Sequence, residues 1–234
     1  MRVAGQRTRA GAGTRLAGRI ESSVSRLPKN PAVPRVPLTI LPNDIVEYAG
    51  PLWRIHTVSG EHPSRFDEFR RYGPVPQCRW DPHPLPAGFH SGHAVLYCAG
   101  DAETAFSEDF QSTRVIELSA LRYLSGWEPQ HPLKLLDLVG TDWALRHGAS
   151  ASLTSAPKST CRAWARAIHN ELGAHIDGIR VPSTMTGAAM AVLFESHATV
   201  ASFPAAPTFA RPLDDPRVGI LALKAAARWN WSLS

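Results

Sequence analysis

The sequence predicts an α+β fold built on an antiparallel or split β-sheet. Roughly six short apolar runs have strand length and strand composition. Only a few segments carry a helical period. The two kinds of segment also alternate too irregularly for a doubly wound parallel sheet. The first expected strand is Leu52–His56, where Arg54 alternates with Trp53 and Ile55. The second is the aromatic and β-branched run Ala94–Ala99, broken by Gly100. Asp101 then makes a good N-cap, and Glu103 suits the positive end of a helix that carries Phe106, Glu108 and Phe110. Further strands are expected at Thr113–Leu118, Leu133–Val139, Gly178–Val181 and Ala189–Phe194. Thr141 is placed to cap a short helix through Trp143 and Leu145 that ends near Gly148. Ser159 opens a clearer helix, with Cys161, Trp164, Ala165, Ile168 and Leu172 at helical spacing and Gly173 as its stop. Asp215-Pro216 opens the last helix, with Val218, Leu221, Ala222, Ala225 and Trp229 on one face. Residues 203–213 read as loop. Residues 57–92 read as a long loop dense in Gly, Pro and His, in which Arg recurs beside aromatic residues; loops of that length are usually functional or disordered.

The 234 residues allow one large domain with an extension, and a 44% hydrophobic content is enough for a core. We divide the chain into a basic N-terminal extension, 1–37, and one domain, 38–234. The net charge of +5 belongs to the extension, whose eight Arg and Lys residues face the single acid Glu21. The remainder is close to neutral. The extension reads as disordered, with a short helix near Thr14–Arg26, in preference to an anion-binding arm or a transit peptide. No run has the length of a membrane helix and no secretory signal precedes the domain. Cys78, Cys98 and Cys161 are widely spaced and form no CxxC pair, which suits a reducing, cytoplasmic setting.

Most familiar chemistries have no motif here. There is no GxxxxGK[ST] loop, no GxGxxG after a strand, no GxSxG elbow and no convincing Cys/His nucleophile setting. Cys78, His83, His90 and His93 cluster, but at spacings foreign to zinc sites, so no metal is expected. What remains is Arg54, Arg79, Tyr97, Glu108 and Ser159. Each has a plain alternative: a surface arginine on an edge strand, a core tyrosine, a solvated helix face, a cap. Glu108 stands out because a carboxylate beside Phe106 and Phe110 is costly unless it is used.

Taken in order, these segments resemble the RES domain, the toxin half of bacterial RES/Xre toxin–antitoxin pairs. Trp53-Arg54-Ile55 resembles its arginine strand, and Arg79-Trp80-Asp81-Pro82 its "RW-N/D-P" loop. Leu96-Tyr97-Cys98-Ala99 through Thr104-Ala105-Phe106-Ser107-Glu108 resembles the strand, turn and glutamate. Asp177–Ser183 and Leu193-Phe194-Glu195 resemble two later strand ends. The likeness is strongest over about 50–200. Gln77-Cys78 stands where a glycine is usual, and the Trp229-Asn230-Trp231 ending is unlike the family's. Ser159 and Ser183 compete for the family serine; Ser159 is preferred because a helix N-terminus adds backbone donors.

The resemblance implies an ADP-ribosyltransferase-like split or mixed sheet flanked by helices. It implies NAD⁺ as substrate rather than resident cofactor, with loss of nicotinamide by hydrolysis or phosphorolysis. Arg54 and Arg79 would bind the pyrophosphate, Tyr97 would stack on the nicotinamide, Glu108 would act at the ribose, and Ser159 would bond the ribose or a phosphate. The alternatives are ADP-ribosyl transfer to a protein target, or an inactive module that binds a partner or, through the basic arm, nucleic acid. An Xre-type antitoxin is the implied partner, and a homodimer is compatible with the family.

Overall fold

The chain's structure, a computed structural model, describes residues 27–35 and 37–234. The expected helix near Thr14–Arg26 lies outside the described residues. Strands β1 (Ile45–Tyr48) and β2 (Leu52–Thr57) are followed by an antiparallel pair of two-residue strands, β3 (Tyr72–Gly73) with β4 (Gly88–Phe89), joined by the long loop between them. Then come β5 (Val95–Ala99), helix α1 (Ala102–Asp109), β6 (Val115–Ile116), β7 (Arg122–Trp127) and β8 (Leu133–Asp137). Helices α2 (Trp143–Arg146) and α3 (Lys158–Leu172) lead to β9 (Gly178–Pro182) and β10 (Ala189–Phe194). The chain ends through α4 (His197–Ala201), β11 (Phe209–Pro212), α5 (Pro216–Trp229) and β12 (Ser232–Leu233).

The main sheet runs β1-β8-β9-β10-β5-β2-β7-β11. Its pairs are antiparallel except β8 with β9. The fold is therefore mixed α+β. One joint in the sheet is weak. β2 pairs with β7 along its whole length and β10 pairs with β5 from Met190 to Phe194, but β5 meets β2 only at Trp53 opposite Ala99. The sheet splays there, and the cleft described below occupies the opening.

Strand alternation sends successive β5 side chains to opposite faces. Val95 and Tyr97 pack with Val192, Ile179 and the α3 residues Trp164 and Ile168. Leu96 and Cys98 pack behind the sheet with Leu133, Leu193 and Trp127, under the loop residues Phe66 and Phe69. A third cluster sits under α1 and α5, joining Phe106, Leu124, Ile116, Val218, Ala222 and Ala225. The buried face of α3 is the one its spacing predicts: Cys161, Trp164, Ala165, Ile168 and Leu172. Asp101 caps α1, accepting from the Thr104 amide at 2.6 Å, and Asp215 caps α5 ahead of Pro216. Such caps contribute about 1 kcal/mol each.

Several expectations need correction. The strand expected over Thr113–Leu118 shrinks to β6, because Arg114 takes a left-handed turn with φ 57°, and β6 pairs in parallel with β12 outside the main sheet. Residues 209–212, read as loop, form edge strand β11; Pro212 is tolerated at the strand end of an edge. β1 and β7 carry no strong apolar alternation and were not expected. Ser159 does not cap α3: Pro157 holds the cap position, and Ser159 is an exposed residue inside the first turn. Thr141 does not occupy the cap of α2 either; that position is Asp142, although the Trp143 amide reaches the Thr141 hydroxyl at 3.4 Å.

Candidate active site

A cavity of about 320 Å³ opens at the split between β2 and β5. Ligand sites typically span roughly 300–1,000 Å³, so it is of ligand size. Trp53, Arg54 and Ile55 line it from β2, Tyr97 and Ala99 from β5, and Ala105 and Glu108 from α1. The loop before β4 adds Cys78, Arg79 and Trp80, and the start of α3 adds Lys158.

The cap at Asp101 decides where Glu108 points. Ala105 and Glu108 are one turn apart and share a face toward the cavity, while Phe106 and Phe110 turn into the core. The Glu108 Oε1 atom accepts from the Ser183 hydroxyl at 2.5 Å. Gln111 donates to the Glu108 backbone oxygen at 2.7 Å and lies 3.4 Å from Oε2. Ser183 is itself buried. Its oxygen accepts from the Met185 and Thr186 amides, both at 3.1 Å. A hydroxyl has one proton and two acceptor sites, so with both acceptor sites filled the proton must go to the carboxylate. The turn that arranges this closes at Gly187, whose φ of +77° favours glycine.

Cations gather across the cleft. Arg54 donates through Nη1 to the carbonyls of Arg65, Phe66 and Glu68 at 2.8, 3.2 and 2.9 Å. These bonds brace it against the 65–68 loop, although burial lowers its pKa. Arg79 donates to the Ala156 carbonyl and approaches the Cys161 sulfur at 3.7 Å. Among the described residues neither arginine pairs with a carboxylate. Asp109, which also lines the cavity, is pushed up by burial and paired with Arg122. The Cys78 thiol is pushed up by burial as well, which keeps it protonated and a poor nucleophile. Tyr97 stays neutral, because desolvation raises its pKa well above the ordinary phenol value. Its ring lines the cavity; its hydroxyl is buried near the Trp80 backbone without a well-formed hydrogen bond.

Asp81 holds the loop that presents Arg79 and Trp80. Its side chain is fully buried; Oδ2 accepts from the Val75 amide at 2.7 Å and from Arg70 at 3.0 Å, and Oδ1 from His83. Burial pushes its carboxyl up, but the His83, Val75 and Arg70 contacts outweigh this and hold it at about 2. A folded value below the unfolded one gives stability that is present above about pH 4 and lost as pH falls toward 2; the shift is worth roughly 2 kcal/mol. His56, His93 and His169 are likewise held below the ordinary imidazole value, by burial. Their contribution is complete above pH about 6.5 and declines as protonation sets in below it. Thermal melts against pH should therefore show two acid-side losses, one beginning below about 6.5 and one below about 4. Asp81→Asn should cost about 2 kcal/mol at neutral pH and remove the second loss; an unchanged lower transition would remove Asp81 as its source.

The structure thus brings Arg54, Arg79, Tyr97 and Glu108 to one cavity and leaves Ser159 out of its lining. Ser183, the competing serine, touches the glutamate instead. Lys158, Gln111 and Trp53 were not singled out from sequence as site residues. Trp53 and Lys158 flank Arg54 and Ser159 in the chain, which was the available signal; nothing in the sequence pointed to Gln111.

The cleft thus sets a helix carboxylate, held by a serine, opposite arginines that have no carboxylate partner among the described residues, across a split in a mixed α+β sheet. The chain belongs to the RES domain family, whose model matches residues 51–214. Among solved structures it is similar to a chain of the M. tuberculosis MbcT–MbcA toxin–antitoxin complex. The TM-score is 0.50 at 17% identity, covering 78% of this chain and 92% of that one. At that identity the likeness concerns the fold. No curated protein matches. Among the described residues no group of His, Cys, Asp and Glu is arranged to hold a metal, and no helix is long and apolar enough to cross a membrane.

Proposed function

We propose that the protein is the toxin of a toxin–antitoxin pair and consumes NAD⁺ by breaking its nicotinamide–ribose bond. The observation that carries this reading is the Glu108–Ser183 pair facing Arg54, Arg79 and Lys158 across a cavity walled by Trp53 and Tyr97. The bond to be broken links the anomeric carbon to a cationic nitrogen. When it breaks, the electron pair neutralises the nicotinamide, so the leaving group needs no proton. Positive charge develops on the ribose, as in glycoside cleavage. The Glu108 carboxylate stabilises that charge and orients the incoming oxygen of water or phosphate. Ser183 fixes the carboxylate while leaving Oε2 toward Gln111. The arginines and Lys158 supply charge for the pyrophosphate, where a guanidinium can bond two oxygens at once. The aromatic rings supply flat surface for the nicotinamide.

Family membership supports the reading, and the similar structure, a toxin–antitoxin complex, supports an antitoxin partner, which we take to be of the Xre type. The test is incubation of the purified protein with NAD⁺ and identification of the products. Free ADP-ribose means hydrolysis and its 1″-phosphate means phosphorolysis. A labelled macromolecule would assign ADP-ribosyl transfer instead, and intact NAD⁺ would refute the reading. Arg54→Ala should weaken NAD⁺ binding at least tenfold, about 1.4 kcal/mol, while the protein remains folded. An unchanged binding isotherm would take Arg54 out of the site.

A further inference from the structure

The Trp229-Asn230-Trp231 ending falls beyond the family match at 51–214, and the cleavage chemistry makes no use of it. The chain nevertheless builds something there. After α5, Asn230 takes a left-handed turn with φ 54°, which brings Trp231 back beside Trp229, with ring centroids 5.5 Å apart. β12 then pairs with β6, and the Ser232 amide donates to the Arg114 carbonyl at 3.2 Å. The two indoles, Arg114, Met185 and Ser107 enclose a second cavity of about 180 Å³. That is below the roughly 300 Å³ of a small whole-ligand site, so it encloses one ring system, and the rest of a ligand must extend outward past the exposed Arg114.

Its chemistry is specific. The Arg114 guanidinium lies 5.2 Å from the Trp231 ring centroid. Its Nε donates to the Gln111 carbonyl at 3.0 Å, and among the described residues its terminal nitrogens have no carboxylate partner. Arg122 and Arg228, by contrast, are neutralised by Asp109 and Glu103. An exposed guanidinium without a carboxylate partner, set beside two indoles whose planes are tilted by 52°, offers an anion contact next to a single ring face, a combination suited to a base and its phosphate together.

The linings of the two cavities are linked through the chain. Ser107 precedes Glu108 on α1, and Met185 belongs to the turn whose amides hold Ser183. Gln111, which donates to Glu108, is the residue whose carbonyl anchors Arg114.

We propose that the Arg114–Trp229–Trp231 cavity is a second binding site, for a mononucleotide: its base enters the cavity against one of the two indoles and its phosphate lies outward on Arg114. The site does not depend on what the first cavity cleaves, and its test is a binding measurement rather than turnover. Calorimetric titration with AMP is done in the Arg54→Ala protein, so that the first cavity does not compete. Saturable binding near one equivalent is expected. Ribose 5-phosphate, which has no base, should bind at least tenfold more weakly. Adding Arg114→Asn, a residue that accepts the left-handed backbone at this position, should weaken AMP at least tenfold. Trp231→Leu, made separately in the same protein, should do the same. The proposal is overturned if the Arg54→Ala protein shows no saturable AMP binding, or if both added substitutions leave its affinity unchanged in proteins that still melt cooperatively.

Discussion

Glu108→Gln protein is expected to lose NAD⁺ consumption by about 10²–10³-fold or more while melting within a few degrees of the wild type. The reasoning is local. Glutamine has the shape of glutamate, and its carbonyl can still accept the Ser183 proton that now goes to Oε1. Gln111 keeps its bond to the backbone oxygen of residue 108, which the substitution leaves in place. Little of the packing changes. What disappears is the negative charge beside the anomeric carbon, and with it the stabilisation of a cation-like transition state. Substrate binding should survive, because the pyrophosphate cations lie on other elements. Initial-rate assays of NAD⁺ loss, with a melting curve for each protein, make the comparison; turnover at the wild-type rate would remove Glu108 from the chemistry.

Ser183→Ala should lower kcat by about 10–100-fold with a small change in KM, whereas Ser159→Ala should stay within about twofold of wild type. Among the described residues the Ser183 hydroxyl is the side chain that links the turn before β10 to the carboxylate. Without it two amides lose their acceptor and Glu108 loses the donor that sets its orientation. Unsatisfied donors of this kind cost about 1–3 kcal/mol, so a lower melting temperature is expected as well. Stability and catalysis are separable, because a purely structural serine would lower the melting temperature and leave the kcat of the folded fraction alone. Ser159 is exposed on α3, outside the cavity lining, and its loss touches neither quantity. The opposite pattern, with Ser159→Ala impaired and Ser183→Ala normal, would reverse the assignment of the serine.

Local chemistry made much of this protein legible. The β5 run, its Gly100 break and the Asp101 cap specify strand, turn and helix from residues a few positions apart. The spacing of Cys161, Trp164, Ile168 and Leu172 specifies the buried face of α3. Asp215-Pro216 specifies the start of α5. The strands that escaped notice lack such signals. β7 contains Ser125 and Gly126, and β11 ends in proline; each is a strand because of what lies beside it. Gly126, for example, is needed where the Trp53 ring lies against it: a Cβ there would meet that ring at 2.7 Å.

The site divides in the same way. Residue types and their order along the chain were enough to single out Arg54, Arg79, Tyr97 and Glu108. The choice between two serines was not available from order, since Ser183 lies 75 residues from the carboxylate it touches. A helix start at Ser159 looked like the better donor, but Pro157 had taken the cap and the hydroxyl faces outward. The sequence by itself determined β5, the capped helix α1, the buried face of α3 and the start of α5, and which groups are too costly to bury without a use. Only the tertiary structure decided where the sheet opens, which serine closes on Glu108 and that the two C-terminal tryptophans meet Arg114. Periodicity and capping act over a few residues and can be read along the chain, whereas each of those outcomes is a contact across the fold that exists only once the strands have paired.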